Sequence, residues 1–145
     1  MRAVIQRVKE ASCEVRSKVC SKIGKGILIL LGIEKEDNIN DAKYLAEKCA
    51  KLRIFEDSNG KMNISLKEVG GEALVVSQFT LVANCKKGRR PSFDNALGDE
   101  SARRLYNGFV NFLKEEIPVE EGVFGERMCI SLKNDGPATF IIDSR

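Results

Sequence analysis

Histidine is absent from all 145 residues. That removes Ser-His-Asp and Cys-His catalysis, and with them the commonest general base near neutral pH. A hydrolase built on this chain would have to work with hydroxyls, backbone amides, carboxylates or groups of its own substrate. The five cysteines (Cys13, Cys20, Cys49, Cys85, Cys129) contain no C-x-x-C pair. With no histidine beside them they argue against a structural zinc site and against a secreted disulfide framework. Five reduced, mostly buried thiols are the expectation, and no metal or cofactor is implied. Long apolar runs are also missing. The longest, residues 27–31, falls far short of the ~18 residues of a membrane helix and reads as a buried strand. Arg2 and Arg7 precede no apolar signal core, so a cytoplasmic location is expected and a membrane is not.

What is present suits one domain over residues 1–145. A chain of this length hides roughly 70% of its unfolded surface. A 43% hydrophobic and 31% charged composition is ordinary for a globular protein. The formal net charge is only +3, but Lys86, Lys87, Arg89 and Arg90 crowd four positive charges around Gly88. No repeat, low-complexity tract or linker divides the chain. Val4, Gln6 and Val8 alternate, and Ala11, Cys13 and Val15 then recur at period two, which predicts a hairpin or meander. Gly24-Lys25-Gly26 predicts a turn into an apolar strand over 27–33. Asp37 or Asn38 is placed to cap a helix with Ala42, Leu45, Ala46, Cys49 and Leu52 on one face. A short strand over 52–55 and a central buried strand over 72–79 follow. A loop over 82–95 carries the basic cluster. A second helix shows Ala102, Leu105, Tyr106, Phe109 and Leu113 on one face. Strands over 128–132 and 138–142 flank a turn at 134–137. Two main helices among about seven strands predict an α/β fold on a mixed, mostly antiparallel sheet.

Three constellations can carry chemistry. Ser77-Gln78-Phe79-Thr80-Leu81 puts polar groups at the end of an apolar strand, where ligands gather if the strand is parallel, although such residues commonly just satisfy turns. Asn134-Asp135-Gly136-Pro137-Ala138-Thr139 reads on spacing alone as a hairpin turn. The basic loop is either a solvated charged loop or a contact to a phosphate backbone.

In this order and spacing the segments closely resemble one family, the D-aminoacyl-tRNA deacylases (also called D-tyrosyl-tRNA deacylases). Ser77-Gln78-Phe79-Thr80-Leu81 matches its first signature, in the form found in the D-selective branch. Asn134-Asp135-Gly136-Pro137-Ala138-Thr139 matches its second. Residues 1–8, residues 52–57, the stretch 86–93, and Phe124-Gly125 with Met128 are similar to the family as well. The chain departs at Ala138, where a larger apolar residue is usual, and over 13–21, where Ser17-Lys18 replaces a more turn-like pair.

The resemblance implies a homodimer that hydrolyses the ester of D-aminoacyl-tRNA, a chiral proofreading step in translation quality control. Gly136-Pro137 would be cis and enter the partner's active site, where its carbonyls grip the substrate ammonium and its backbone clashes with an L side chain. Glycine would escape that filter, so glycyl-tRNA mischarged on a non-cognate tRNA is a further candidate substrate. Arg7 would brace this turn. Amides around Phe79 and Thr80 would hold the oxyanion, with the tRNA 2′-hydroxyl assisting attack. Thr80 as a covalent nucleophile is the competing route, but no base for its hydroxyl is visible. Ser77 and Gln78 would position the terminal adenosine, and Lys86, Lys87, Arg89 and Arg90 would contact tRNA. tRNA is thus the implied partner, and DNA is not. A non-catalytic RNA-binding module remains the alternative.

Overall fold

The computed structural model describes residues 1–86 and 88–145. In chain order it contains β1 (Arg2–Val15), β2 (Lys18–Ile23), β3 (Gly26–Gly32), α1 (Ile39–Lys51), β4 (Phe55–Glu56) and β5 (Met62–Ile64). A one-turn helix α2 (Leu66–Val69) and β6 (Glu72–Ser77) lead to a 3-10 turn (Phe79–Val82). Then come α3 (Asp99–Lys114), β7 (Val119–Glu121) and β8 (Met128–Asp143).

The interrupted alternation at the N-terminus belongs to one long strand. β1 folds back at Arg16 and Ser17, both in the left-handed region (φ 51° and 62°), and β2 pairs its second half antiparallel. β3 continues along the same edge and pairs Arg2 through Val8. Gly24 and Lys25 therefore bend the chain and do not reverse it. Gly26 is required at this bend, because a Cβ there would lie 1.8 Å from the carbonyl oxygen of Glu72. β3 then pairs β6 in parallel, and β6 pairs β7 in parallel. β8 closes the other edge of β1 antiparallel. The sheet is mixed, as its composition of alternating and continuous apolar runs predicts.

α1 and α3 cover one face of this sheet. Asn38, not Asp37, caps α1: its side chain accepts from the Asn40 amide at 2.9 Å, and Asp41 accepts from the Asn38 amide at 3.0 Å. Asp37 instead receives the Arg145 guanidinium at 2.7 Å. Ala42, Leu45, Ala46 and Cys49 pack with Leu105, Phe109 and Leu113 onto Ile5, Ile27, Ile29, Leu31 and Val75. Truncating one of these leucines to alanine costs about 2–5 kcal/mol. Between Val8 and Ala11 the buried side of β1 switches, and Val8, Ala11, Cys13, Leu28 and Leu74 build a second cluster behind the sheet.

Three expectations need correction. The two C-terminal strands are one, β8, whose halves both run antiparallel to β1: Gln6 pairs Thr139, whereas Val8 pairs Asn134. The residues between bulge outward, so the Gly136-Pro137 segment is a bulge within a strand and not a hairpin turn. The strand over 52–55 shrinks to β4, because the Ile54 carbonyl is taken by Arg7 at 2.6 Å. All five thiols are free, but only Cys13 and Cys49 are buried; Cys20, Cys85 and Cys129 lie on an edge strand, a loop and the outward side of β8. Among the described residues no helix is long and apolar enough to cross a membrane.

Candidate active site

Ser77 ends β6, a strand paired in parallel with β3 as far as Ser77 and with β7 as far as Val75, so the first signature does leave the carboxyl end of a parallel strand. Gln78 extends the pairing through its amide, which donates to the Leu31 carbonyl at 2.8 Å. The chain then tightens into the 3-10 turn and presses on Gly32, where a Cβ would meet Leu81 Cβ at 3.0 Å and the Gln78 carbonyl at 3.2 Å. Arg2, held on the Asp143 carboxylate at 2.7 and 3.0 Å, reaches the Leu81 carbonyl at 3.4 Å.

Within the turn the Gln78 side-chain amide donates to the Thr80 hydroxyl. Among the described residues no acceptor bonds the backbone amides of Phe79 and Thr80. Two adjacent N–H groups thus stand free where a developing oxyanion could be received. Phe79 is 58% exposed, and its ring meets Phe93 edge-on, with centroids 4.9 Å apart. Beside the turn opens a cavity of about 440 Å³ walled by Leu31, Val76, Leu97, Phe124, Met128 and Ile130, with Ser77, Gln78, Asp99 and Glu126 as polar members. Neither carboxylate bonds the Thr80 hydroxyl. The Tyr106 phenol behind the wall donates to the Val75 carbonyl at 2.9 Å, and burial pushes its pKa up. It serves the scaffold.

The second signature is built around Asn134. Its side chain accepts from the Ala138 amide at 2.7 Å and donates to the Ala138 carbonyl at 3.3 Å, closing the bulge. The Gly136-Pro137 peptide is cis. Gly136 has φ 139°, and a Cβ there would meet the Ala138 amide at 2.9 Å and Arg7 Nη2 at 3.2 Å. Arg7, only 5% exposed, donates to the Asp135 carbonyl at 2.9 Å and the Ile54 carbonyl at 2.6 Å.

One chain does not bring the two signatures together. Ser77 is in register with Leu31 and Ala3, whereas the bulge faces Arg7 across the opposite edge of β1. At ~3.3 Å per residue and ~4.8 Å per strand, they lie roughly 13 Å apart along the strands and roughly 14 Å across them.

The basic loop stands on an antiparallel bridge, with Asn84 and Ser92 exchanging backbone bonds of 2.8 and 3.0 Å. Lys86, Arg89 and Arg90 are exposed, and among the described residues they make no ion pair. Lys87 lies outside the described residues. Sequence reasoning did not single out Asn134 by itself, although it stands in the quoted motif. It also missed Asp99, Glu126 and Arg103 around the cavity, which carried no local signal.

A small α/β protein with a histidine-free site at the end of a parallel strand is the class that fold and site define. The D-Tyr-tRNA(Tyr) deacylase family model matches residues 4–143. A D-aminoacyl-tRNA deacylase of Thermodesulfovibrio yellowstonii is 56% identical, with all of both chains covered. Those of Clostridium novyi (55%, all of this chain and 98% of the other) and Geobacter sulfurreducens (56%, all of this chain and 96% of the other) are similar to the same degree. Among solved structures, one described as a c-Myc DNA unwinding element binding protein superimposes with a TM-score of 0.95 at 39% identity, covering 100% of this chain and 99% of the other. A probable eukaryotic D-amino acid tRNA deacylase shares the fold at a TM-score of 0.85 and 18% identity, covering 98% of each chain. The chain belongs to the D-Tyr-tRNA(Tyr) deacylase family and is an enzyme, a hydrolase of ester bonds. The non-catalytic alternative gives way to that membership.

Proposed function

We propose that this enzyme clears D-amino acids from tRNA with the terminal adenosine seated in the cavity beside Ser77 and Gln78. The amides of Phe79 and Thr80 receive the oxyanion, and their freedom from other acceptors is the observation that carries this reading. An aminoacyl ester is already activated, so positioning and oxyanion stabilisation supply much of the acceleration. The substrate's 2′-hydroxyl assists the attack. Thr80 positions and does not act as nucleophile, because its hydroxyl is engaged by Gln78 and among the described residues no carboxylate bonds it to take its proton.

Chiral selection falls to Gly136-Pro137 of a second copy. The separation of the two signatures within one chain supports this, since neither alone surrounds an aminoacyl ester. An uncovered apolar strip supports it too: Ile141 is 66% exposed on the sheet face away from the helices, in register with the half-buried Val4 and Leu30. A second copy seated there buries the strip and carries its bulge toward the first copy's cavity. With the ammonium held by carbonyl oxygens, an L side chain meets backbone and a D side chain points away. Glycine has nothing to exclude, so glycyl-tRNA is a second substrate. Lys86, Lys87, Arg89 and Arg90 hold the tRNA backbone, and Arg7 braces the selecting bulge. Aminoacyl-tRNA as substrate supports a cytoplasmic location.

The test charges one tRNA with D-tyrosine, L-tyrosine or glycine and follows ester loss under catalytic enzyme. Loss of the D and glycyl esters with the L ester spared is expected. Equal loss of D and L esters would remove the exclusion mechanism and keep the hydrolase. Retention of all three by folded enzyme would overturn the reading, and competition by duplex DNA would then separate a DNA-binding role from an RNA-binding one.

A further inference from the structure

Arg103 stands on α3 one turn after Asp99, the spacing at which opposite charges ordinarily pair. It does not pair there. Its guanidinium lies over the Phe124 ring, 4.8 Å from the centroid, and Nη2 donates to the Phe124 carbonyl at 3.4 Å. Among the described residues no carboxylate lies within ion-pair distance of it, whereas Glu126 at the same cavity has Arg16 at 3.6 Å. Phe124 also packs against Tyr106, with ring centroids 5.4 Å apart and planes tilted by 56°. The ring lines the cavity, and the exposed guanidinium lies beside it, with Nη2 3.5 Å from where a Cβ on Gly125, a second lining residue, would stand.

A guanidinium has five donors, and among the described residues this one spends a single weak bond on the protein. Stacking sets its plane without consuming its charge. An anion approaching the cavity also meets Asp99 and Glu126, so a cation at the rim is what makes entry of a polyanion favourable. We propose that Arg103 binds the phosphate on the 5′ side of the terminal adenosine. The proposal rests on the reading of the cavity as the seat of that adenosine. A base laid against Phe124 sends its ribose 5′-oxygen toward the mouth, where the guanidinium offers paired donors to a phosphate.

The test titrates the full-length protein with adenosine and with adenosine 5′-monophosphate at fixed ionic strength, read by NMR shifts of the cavity residues. The wild type is expected to prefer the monophosphate on the order of tenfold, the worth of one charge-assisted contact. In Arg103→Gln that preference falls to near unity and adenosine affinity stays; Arg103→Lys keeps part of it. On D-tyrosyl-tRNA, Arg103→Gln raises KM at unchanged kcat and lowers the salt slope by about one. A monophosphate preference that survives in Arg103→Gln overturns the proposal. So does parallel loss of both ligands, which would make Arg103 only a prop for Phe124. If neither ligand moves the wild-type cavity resonances, the adenosine seat itself is wrong and the proposal falls with it. Hydrolysis of the D ester, assayed in parallel, then shows whether the enzyme reading survives.

Discussion

Replacing Arg7 gives the most informative perturbation of the Gly136-Pro137 bulge and of its proposed role in selection. The side chain is buried, bonds the Ile54 and Asp135 carbonyls, and has the Glu56 and Asp135 carboxylates each at 3.7 Å. Glu56 is well exposed, so its share of the stabilisation is small. The two carbonyl bonds carry the weight. Hydrogen bonds from a charged donor contribute about 1.5–3 kcal/mol each, and losing both leaves two carbonyls short of a partner. Arg7→Met is therefore expected to cost about 3–5 kcal/mol, a large part of a typical domain's 5–15 kcal/mol. Arg7→Lys supplies one point charge that reaches one carbonyl, and about 1.5–3 kcal/mol is expected. Urea denaturation reads this as a lowered midpoint at unchanged slope, a shift of about 1 M for a slope near 2 kcal/mol/M. The same variant, assayed well below its midpoint, tests selection. If loosening the bulge weakens exclusion of the L ester by about 1.4 kcal/mol, the D/L ratio of kcat/KM falls about tenfold, with the rate on the D ester retained. Wild-type stability in Arg7→Lys would refute the bracing argument. Lost stability with an unchanged D/L ratio would confine Arg7 to the fold and remove it from selection.

The β1–β2 turn is open to improvement, because Arg16 and Ser17 occupy left-handed backbone without glycine. Ser17→Gly is expected to stabilise by about 0.5–1 kcal/mol net of the added chain entropy, seen as a rise in Tm; no rise would show that the turn relaxes at no cost. Phe93→Ala removes the edge contact on Phe79 and is expected to lower kcat with KM little changed, because the turn carrying the two amides loses a support; Phe93→Tyr should restore it, and equal activity of both variants and the wild type would dismiss the contact. Reversing Lys86, Arg89 and Arg90 together is expected to raise KM and flatten its dependence on salt, and an unchanged salt slope would take the loop away from tRNA. Acid should destabilise the fold: side-chain and backbone hydrogen bonds from Ser65 hold the Glu68 pKa below its ordinary value, and backbone bonds from Lys61 and Asn59 do the same for Asp57. Groups with depressed folded pKa contribute stability above the unfolded values near 4, and that contribution is lost as pH falls through the folded ones. Urea midpoints should therefore be flat from about pH 8 to 5 and decline below, and a decline beginning near pH 6.5 would contradict a chain without histidine.

Most of the fold was legible because its signals are local. The apolar face of α1, a cap at Asp37 or Asn38 and the continuous run of β3 each state their structure within a few residues. What failed depended on partners distant in sequence. Asn134-Asp135-Gly136-Pro137 has turn chemistry, and no local feature distinguishes a reversal from a bulge. That outcome is decided by β1, which pairs both halves of β8 and leaves only the residues opposite Arg7 to protrude. The exposed thiols were missed for a related reason, since burial of Cys20 and Cys129 depends on which strands end up at sheet edges. At the site, the polar tetrad was visible as residues and the resemblance implied the Phe79 and Thr80 amides as donors, but their freedom from other acceptors arises from the 3-10 turn and not from side-chain identity.

β1 links these separate pieces. Its first residue holds the turn of the first signature, through Arg2 and the Leu81 carbonyl. Its middle holds the bulge of the second, through Arg7 and the Asp135 carbonyl. Under the two-copy reading, these arginines of one strand serve different sites: Arg2 acts on the cavity of its own chain, and Arg7 on the cavity opposite. A disturbance running along β1 would then reach hydrolysis in one site and chiral exclusion in the other. A sheet strand suits that task better than a loop would, because its ladder to β3 on one edge and β8 on the other fixes both arginines against a common frame. The absence of histidine fits the same design. On the proposed mechanism, catalysis by backbone amides and selection by backbone carbonyls would need no titrating side chain, only a sheet that holds the main chain in place.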